Sequence, residues 1–134
     1  MHKGNFYSTF DNYAYTLADV IIIDINLDVQ INYSLNKDIK DYNVDMAAFK
    51  DAIQTISKFC KPEALILVES TVPPGTSEQI VFPILKNGLK ERKVSSKKIK
   101  LGHSSERVMP GPDYIDSIQN FYRVYSGIDE ESAD

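Results

Sequence analysis

The sequence predicts an α/β protein built on half of a doubly wound parallel sheet with flanking helices. Apolar runs without polar alternation, which are typical of strands buried on both faces, occur at residues 18–25 and 64–68. Residues 45–59 and 76–88 instead carry apolar side chains at helical spacing. Because strands and helices alternate along the chain, we expect right-handed crossovers and parallel strand pairing.

The first strand is predicted over the β-branched run Ala18–Ile25, and a polar loop from Asn26 to Val44 is expected after it. Asp45 is then predicted to cap a helix. The buried stripe of that helix is expected to contain Met46, Phe49, Ile53 and Ile56. Pro62 ends the helix, and the second strand is expected to begin at Ala64.

A second helix is predicted to begin at Thr76 or Ser77 and to end at Gly88. Pro83 lies inside its apolar stripe and lacks an N–H group, so it predicts a kink or an early break. A third strand is predicted from Ile99 to His103.

The remaining chain is predicted to form a short helix, Asp113–Phe121, and a fourth strand, Arg123–Ser126, closed by Gly127. The acidic residues 129–131 predict the first turn of another helix. Half a sheet leaves one edge and one helix-packing face uncovered, so we expect the chain to pair with another copy or to be marginally stable.

Composition narrows the functional classes. The 134 residues are 43% hydrophobic and 25% charged, which is typical of one globular domain, and the formal net charge of −4 argues against a nucleic-acid partner. The basic run Lys90–Lys100 is interpreted as a solvated loop. No apolar run approaches the ~20 residues of a membrane span, so no membrane partner is expected.

The cysteine and histidine content favours a reducing compartment without a metal site. Cys60 is the single cysteine, which excludes an internal disulfide, and we expect it to have a packing role in a cytoplasmic protein. No group of histidine, cysteine and carboxylate residues has metal-ligand spacing, so no metal is predicted. His103 is interpreted as a strand-end residue.

The turn that follows the second strand is the first candidate site. Ser70 and Thr71 place two hydroxyl groups at the carboxyl end of this strand, and Gly75 permits close approach of the backbone. Ligands bind at such strand ends in open α/β sheets. The third strand opens into a similar loop, Ser104–Pro112, so we expect two candidate loops to converge.

Three collinear blocks, Ala18–Ile23, Val68–Thr76 and Ser105–Pro112, carry a family resemblance, and Phe121–Asp129 extends it. Together they resemble the UDP-glucose/GDP-mannose dehydrogenase family of nucleotide-sugar dehydrogenases. Pro110 stands where the UDP-glucose enzymes have a second glutamate, which favours the branch that acts on UDP-N-acetyl-hexosamines.

The resemblance implies a Rossmann-like NAD-binding domain that is truncated at both ends. Residues 1–127 would form the C-terminal half of that domain, and residues 128–134 would begin a truncated helix leading to a missing domain. The implied reaction is the NAD-dependent oxidation of the C6 alcohol of a UDP-sugar to the uronic acid, in two hydride transfers through a thiol-bound intermediate. A homo-oligomer is also expected.

The resemblance also assigns roles to individual residues. Thr71 would contact NAD near the reacting centre, and Glu106 would face the active-site water and the substrate. Partial burial would raise the pKa of Glu106 toward neutrality, as a proton relay requires. Arg107 and Val108 would contact the substrate.

Two more residues are candidates for binding the cofactor. Asn26 lies in the segment Ile25–Asp28, which occupies the place of a family proline-threonine-proline turn near NAD. Ser70 is the second candidate, although a serine at this strand end is better suited to satisfying backbone groups of the turn.

Departures from the family pattern predict that this chain alone is inactive. None of the six glycines forms a G-x-G-x-x-G fingerprint, and Cys60 does not match the family's catalytic cysteine, which lies downstream with its lysine and asparagine. Two alternatives stay open: a receiver-like domain phosphorylated on Asp24 with Thr71 as its switch, and an α/β fragment without a ligand.

Overall fold

The computed structural model describes residues 5–31, 42–95, 99–105, 108 and 111–134. The strands are β1 (Val20–Ile23), β2 (Val29–Ile31), β3 (Tyr42–Val44), β4 (Leu65–Val68), β5 (Lys100–Ser104) and β6 (Tyr125–Gly127). The helices are α1 (Ala14–Leu17), α2 (Ala47–Phe59), α3 (Phe82–Glu91), α4 (Tyr114–Asn120) and α5 (Glu130–Ala133), and a π-helical segment, Ser77–Val81, runs directly into α3.

One four-stranded sheet, in the order β1-β4-β5-β6, organises the chain. β4 pairs in parallel with β1 on one side and with β5 on the other. The chain crosses over between these strands through α2 and α3, so the predicted α/β class and parallel pairing are confirmed. β6 pairs antiparallel with β5 and makes the sheet mixed.

The core lies between the sheet and the two crossover helices. β1 and β4 contribute Ile21, Ile23, Ile66 and Val68, whereas α2 contributes the predicted Phe49, Ile53 and Ile56. Val81, Leu85 and Leu89 come from the π-helical segment and α3. The predicted cap at Asp45 is wrong by one residue, because Met46 occupies the N-cap position of α2 and makes no side-chain cap bond. The Asp45 carboxylate still accepts a hydrogen bond of 2.9 Å from the backbone N–H of Ala47.

The prediction that the first strand is buried on both faces is wrong. Ile21 and Ile23 are 6% and 3% exposed, whereas Val20 and Ile22 are 52% and 57% exposed. The physical reason is that α2 and α3 pack against the same face of the sheet. The expectation of an uncovered helix-packing face is therefore confirmed at β1.

α5 covers a small part of this second face at the other end of the sheet. A Cβ atom added to Gly127 would lie 2.5 Å from the backbone nitrogen of Ala133. Ile128 donates a backbone hydrogen bond of 2.9 Å to Leu101, and the N–H of Leu101 donates to the Ser132 hydroxyl at 3.2 Å. The predicted acidic helix start is confirmed, since the Asp129 side chain accepts a hydrogen bond from the N–H of Ser132. Hydrogen bonding from the side chain of Ser132, and then from its backbone N–H, lowers the pKa of Asp129.

The predicted polar loop from Asn26 to Val44 is wrong in part, because it contains the antiparallel pair of β2 and β3. Both strands have three residues, and their apolar side chains are interrupted by a polar residue, as in Val29-Gln30-Ile31. Strands this short give a periodic signal too brief to stand out from polar neighbours.

The start of the second predicted helix differs from the expected cap. Neither Thr76 nor Ser77 caps it; the Thr76 hydroxyl donates a hydrogen bond of 2.7 Å to the Pro73 carbonyl. The helix opens with the π-helical segment, in which the N–H of Phe82 donates to the carbonyl of Ser77. The predicted early break does not occur at Pro83, which lies in the first turn of α3 and is followed by helix to Glu91. The irregular segment is the π-helical stretch that precedes it.

The prediction that Gly88 ends this helix is wrong, because α3 continues to Glu91. Gly88 is a contact point between helices: a Cβ atom there would lie 2.1 Å from the Ser57 hydroxyl oxygen of α2. Just beyond α3, Arg92 donates hydrogen bonds to the carbonyls of Ser57 at 3.1 Å and Cys60 at 2.8 Å. Arg92 therefore satisfies carbonyls at the C-terminal end of α2.

Cys60 is 3% exposed and belongs to the core cluster, in agreement with a packing role. Burial raises the pKa of its thiol, while the nearby Arg92 guanidinium partly opposes that shift. None of the helices in the described ranges has the length and apolar content needed to cross a membrane.

We predict that Gly88→Ala destabilises the protein by about 1–3 kcal/mol, because the new methyl group overpacks the contact with Ser57. Urea unfolding followed by circular dichroism measures the change. Asn87→Ala, at an exposed position of the same helix, is the control and should stay within about 0.5 kcal/mol of the parent. Equal stability of Gly88→Ala and the parent chain would contradict this packing.

We also predict opposite sensitivities at neighbouring positions of β1. Ile21→Ala removes a buried side chain and should cost about 2–5 kcal/mol, whereas Ile22→Ala, at a position 57% exposed, should cost less than about 1 kcal/mol. The same unfolding measurement tests both variants. Similar losses for both would show that both faces of β1 are buried in solution.

Candidate functional site

The carboxyl ends of β1, β4 and β5 meet at one edge of the sheet. Ile23 pairs with Val68, and Val68 pairs with His103. The predicted second and third strands therefore end side by side, as the candidate site requires. The turns that follow β1 and β4 lie next to each other because their strands are parallel neighbours.

An open cleft of about 650 Å³ lies between these two turns, and we call it the strand-tip cleft. It is lined by Asp24, Ile25, Asn26, Leu27, Val44, Glu69, Ser70, Thr71, Val72 and Pro73. Three predicted cofactor-binding residues, Asn26, Ser70 and Thr71, thus border one space although they come from two separate segments. Glu69 was not among the predicted site residues, and Asp24 was predicted only as the phospho-acceptor of the receiver-like alternative.

Ser70 joins the two turns. It is 2% exposed, and its hydroxyl oxygen accepts a hydrogen bond of 2.7 Å from the backbone N–H of Ile25. The N–H groups of Glu69 and Ser70 both donate to the Ile23 carbonyl, at 2.9 and 3.1 Å. Ser70 therefore satisfies backbone groups, which is the second role that the sequence suggested for it.

Thr71 and Asn26 present polar groups to the cleft. Thr71 is exposed, and its hydroxyl makes no hydrogen bond to another described residue, so both its donor and its acceptor capacity are free within that set. The Asn26 side-chain amide donates to Asp28 at 2.9 Å. Among the described residues its carbonyl oxygen accepts no hydrogen bond, so this oxygen can accept one from a ligand.

A second cleft, of about 520 Å³, lies on the helix-covered side of the sheet, with Val72 and Pro73 as its shared wall with the first. His103 lines it, together with Ser77, Glu78 and Ser126. The Nδ1 atom of His103 is buried without a partner among the described residues, and its Nε2 lies 3.4 Å from the Ser105 hydroxyl. His103 lies next to the last residue of β5, in agreement with its interpretation as a strand-end residue.

Two predicted site residues, Glu106 and Arg107, lie outside the described residues. Val108 is described and is half-buried, but it lines neither cleft. The structure therefore shows the position of Thr71, whereas the position and the catalytic role of Glu106 stay predictions.

One ion pair at the strand-tip cleft was not predicted. The Arg123 guanidinium donates a hydrogen bond of 2.9 Å to the Glu69 carboxylate across 54 positions of sequence. The Glu69 side chain is 19% exposed and that of Arg123 is 42% exposed. No local sequence pattern predicts this pair, because the two residues come together only when β6 pairs with β5.

The acidic residues of the strand-tip cleft do not form a metal site. Asp24 and Glu69 both line the cleft, but Arg123 pairs with Glu69. Across the part of the chain that the structure describes, no group of three or more histidine, cysteine and acidic residues is arranged to hold a metal ion.

Comparison with known proteins connects this geometry to one family. Residues 2–134 match the family model of the UDP-glucose/GDP-mannose dehydrogenase family, NAD binding domain. UDP-N-acetyl-D-mannosamine dehydrogenase from Methanocaldococcus jannaschii is 36% identical over 90 residues, which cover 67% of this chain and 19% of that protein. The chain thus spans about a fifth of the curated relative that it matches.

Solved structures agree with the sequence match. The NDP-N-acetyl-D-galactosaminuronic acid dehydrogenase from Methanosarcina mazei superposes with a TM-score of 0.73 at 28% identity, covering 91% of this chain and 24% of that chain. The UDP-D-ManNAc dehydrogenase from Pyrococcus horikoshii also gives a TM-score of 0.73, at 25% identity, covering 93% of this chain and 27% of that chain. The four-stranded sheet with its helices therefore has the Rossmann-like NAD-binding fold.

We predict that adjacent hydroxyls in this turn have separate roles. Ser70→Ala should destabilise the protein by about 1 kcal/mol or more, since it leaves the Ile25 N–H without its acceptor. Thr71→Ala, at an exposed position, should change stability by less than about 0.5 kcal/mol. Urea unfolding measures the free energy of unfolding of both variants. A larger loss of stability for Thr71→Ala than for Ser70→Ala would contradict these roles.

Proposed function

This chain belongs to the UDP-glucose/GDP-mannose dehydrogenase family, and we propose that it is part of an NAD-dependent UDP-sugar 6-dehydrogenase. The proposed reaction oxidises the C6 alcohol of a UDP-N-acetylhexosamine to the uronic acid. The observation that carries the proposal is the strand-tip cleft, which presents the Thr71 hydroxyl between the ends of two parallel strands. The names of the relatives from M. jannaschii and M. mazei support an N-acetylated sugar.

The residues at the cleft fit part of NAD. The matched family model is that of an NAD-binding domain, and the cleft offers a free hydroxyl and an open entrance beside the turn after β1. The chain has no glycine-rich fingerprint to cradle a pyrophosphate. We therefore assign the nicotinamide end of the cofactor to this cleft. When bound, NAD supplies the hydride acceptor of the reaction.

The proposed roles of the cleft residues follow from their hydrogen bonds. Thr71 donates to and accepts from the cofactor amide or a water molecule, because its hydroxyl has both capacities free among the described residues. Asn26 offers its amide oxygen from the opposite turn. Ser70 acts through the backbone, by keeping the turn of Ile25 against the turn of Thr71.

The substrate side of the proposal follows from the family resemblance. Glu106 is proposed to relay a proton through the active-site water, and Arg107 and Val108 to contact the UDP-sugar. Cys60 is buried at the C-terminal end of α2 and does not match the family's catalytic cysteine, so it does not supply the thiol of the family reaction. We accordingly expect no turnover by this chain alone.

The organisation of the whole enzyme is part of the same proposal. Residues 1–127 are proposed to form the C-terminal half of the NAD-binding domain, and residues 128–134, which include α5, to begin a helix leading to a further domain. The uncovered face at Val20 and Ile22 supports assembly into a homo-oligomer. The single buried cysteine favours a cytoplasmic location.

Titration of NAD into the ¹⁵N-labelled chain tests the cofactor assignment. We expect amide shifts centred on Thr71 and on Ile25–Asn26, the two walls of the cleft. Thr71→Val removes the hydroxyl at nearly constant shape and should weaken binding by about 2- to 12-fold, the equivalent of one hydrogen bond. Thr71→Ser retains the hydroxyl and is the matched control.

Two outcomes would contradict the proposal. An absence of shifts with NAD would favour the α/β fragment without a ligand, and shifts at Asp24 alone with beryllofluoride and magnesium would favour the receiver-like alternative. Production of NADH from UDP-N-acetyl-sugars by this chain alone would overturn the expectation of inactivity.

A further inference from the structure

The three residues that follow β4 differ in the hydrogen bonds that their side chains make. Ser70 is fastened to the turn after β1 by its hydroxyl. Glu69 is fastened to Arg123, which precedes β6. Thr71 follows them with a hydroxyl that contacts no other described residue by hydrogen bonding. The proposed cofactor contact is therefore attached to the sheet through its two predecessors.

The side chains of Glu69 and Ser70 lie on opposite faces of the sheet. Side chains alternate along a strand, so Glu69 continues the row of Leu65 and Leu67 on the face away from α2 and α3. Leu65, Leu67, Glu69 and Arg123 line a cleft of about 370 Å³ on that face. Ser70 points to the other side and is buried. The tip of β4 is thus held from both faces of the sheet.

The Glu69–Arg123 pair is also more shielded than the Lys61–Asp19 and Lys100–Glu131 pairs. The Glu69 side chain is 19% exposed, whereas the acidic partners Asp19 and Glu131 are 88% and 73% exposed. An exposed pair contributes little because water screens it. A carboxylate at 19% exposure loses more when its partner is removed, since it then stays partly desolvated without a counter-charge.

We propose that Arg123 is a positioning residue that acts through Glu69 to hold the tip of β4, and with it the Thr71 hydroxyl, in place for the cofactor. The nature of the occupant of the cleft rests on the proposed function; the positioning itself does not. Arg123 does not line the strand-tip cleft, whereas Glu69 lines both that cleft and the one on the uncovered face. The arginine therefore influences the ligand through the carboxylate.

Hydrogen exchange of the amides at the strand tips tests the proposal without any ligand. The N–H groups of Ile25, Glu69 and Ser70 are hydrogen-bonded and report on the tip, and that of Ile66 reports on the middle of β4. Glu69→Gln and Arg123→Gln should each accelerate exchange at the tip by about threefold, with little change at Ile66. Arg123→Lys keeps the charge and should restore part of the protection.

A matched control exists at the opposite end of the same strands. Lys61 and Asp19 form an ion pair of 2.6 Å beside the amino ends of β1 and β4. Asp19→Asn breaks this pair and should leave exchange at Ser70 unchanged. Equal acceleration at Ile66 in the Glu69 and Arg123 variants would show a general loss of stability and overturn the positioning role. Unchanged exchange at the tip would overturn it as well.

A charge-swapped variant, Glu69→Arg with Arg123→Glu, separates positioning from direct contact. Each single variant should raise the NAD dissociation constant about threefold. If the pair acts by holding the tip, the swap restores both slow exchange and the parent dissociation constant. If exchange recovers while NAD affinity does not, Glu69 itself contacts the cofactor, and the inference that the pair acts on the cofactor through position alone is overturned. If the parent chain binds no NAD, the proposed function fails, and the exchange data still decide the role of Arg123.

Discussion

The parallel, in-register pairing of β1, β4 and β5 is the constraint on which the rest of the structure depends. Each parallel connection must cross over the sheet, and the two crossovers place α2 and α3 on the same face. This arrangement buries one face of the sheet and leaves most of the other face exposed to solvent. It also brings three strand ends to one edge, and the turns after β1 and β4 share the strand-tip cleft.

The contact between α2 and α3 sets how closely the two crossover helices approach. Gly88 has no side chain to separate them, so Ser57 lies against its backbone. Arg92 then satisfies the carbonyls at the end of α2, which joins the helices at the amino side of the sheet. At the carboxyl side of the sheet, the π-helical segment precedes Pro83, and α3 continues past Pro83 without a break. The hydrogen bond from Thr76 to Pro73 closes the turn that carries the site.

The turn after β4 divides its tasks among neighbouring residues. Ser70 is buried and serves the backbone, Glu69 faces the uncovered side and pairs with Arg123, and Thr71 presents its hydroxyl to the cleft. Alternation along the strand explains why consecutive residues can do this without competing for the same space. An NAD-binding domain benefits from such an arrangement, since a polar contact contributes to hydride transfer only when its position is fixed.

The sequence by itself determined the features that neighbouring residues encode. The buried stripe of α2, the acidic first turn of α5 and the hydroxyls after β4 each follow from residues within a few positions of one another. Three collinear blocks were sufficient for the family. The tertiary structure alone decided that Ile22 is exposed, that Gly88 is a contact and not a helix end, and that Glu69 meets Arg123. These outcomes depend on which face receives the helices and which strands become neighbours, and that choice is made by the packing of segments far apart in the chain.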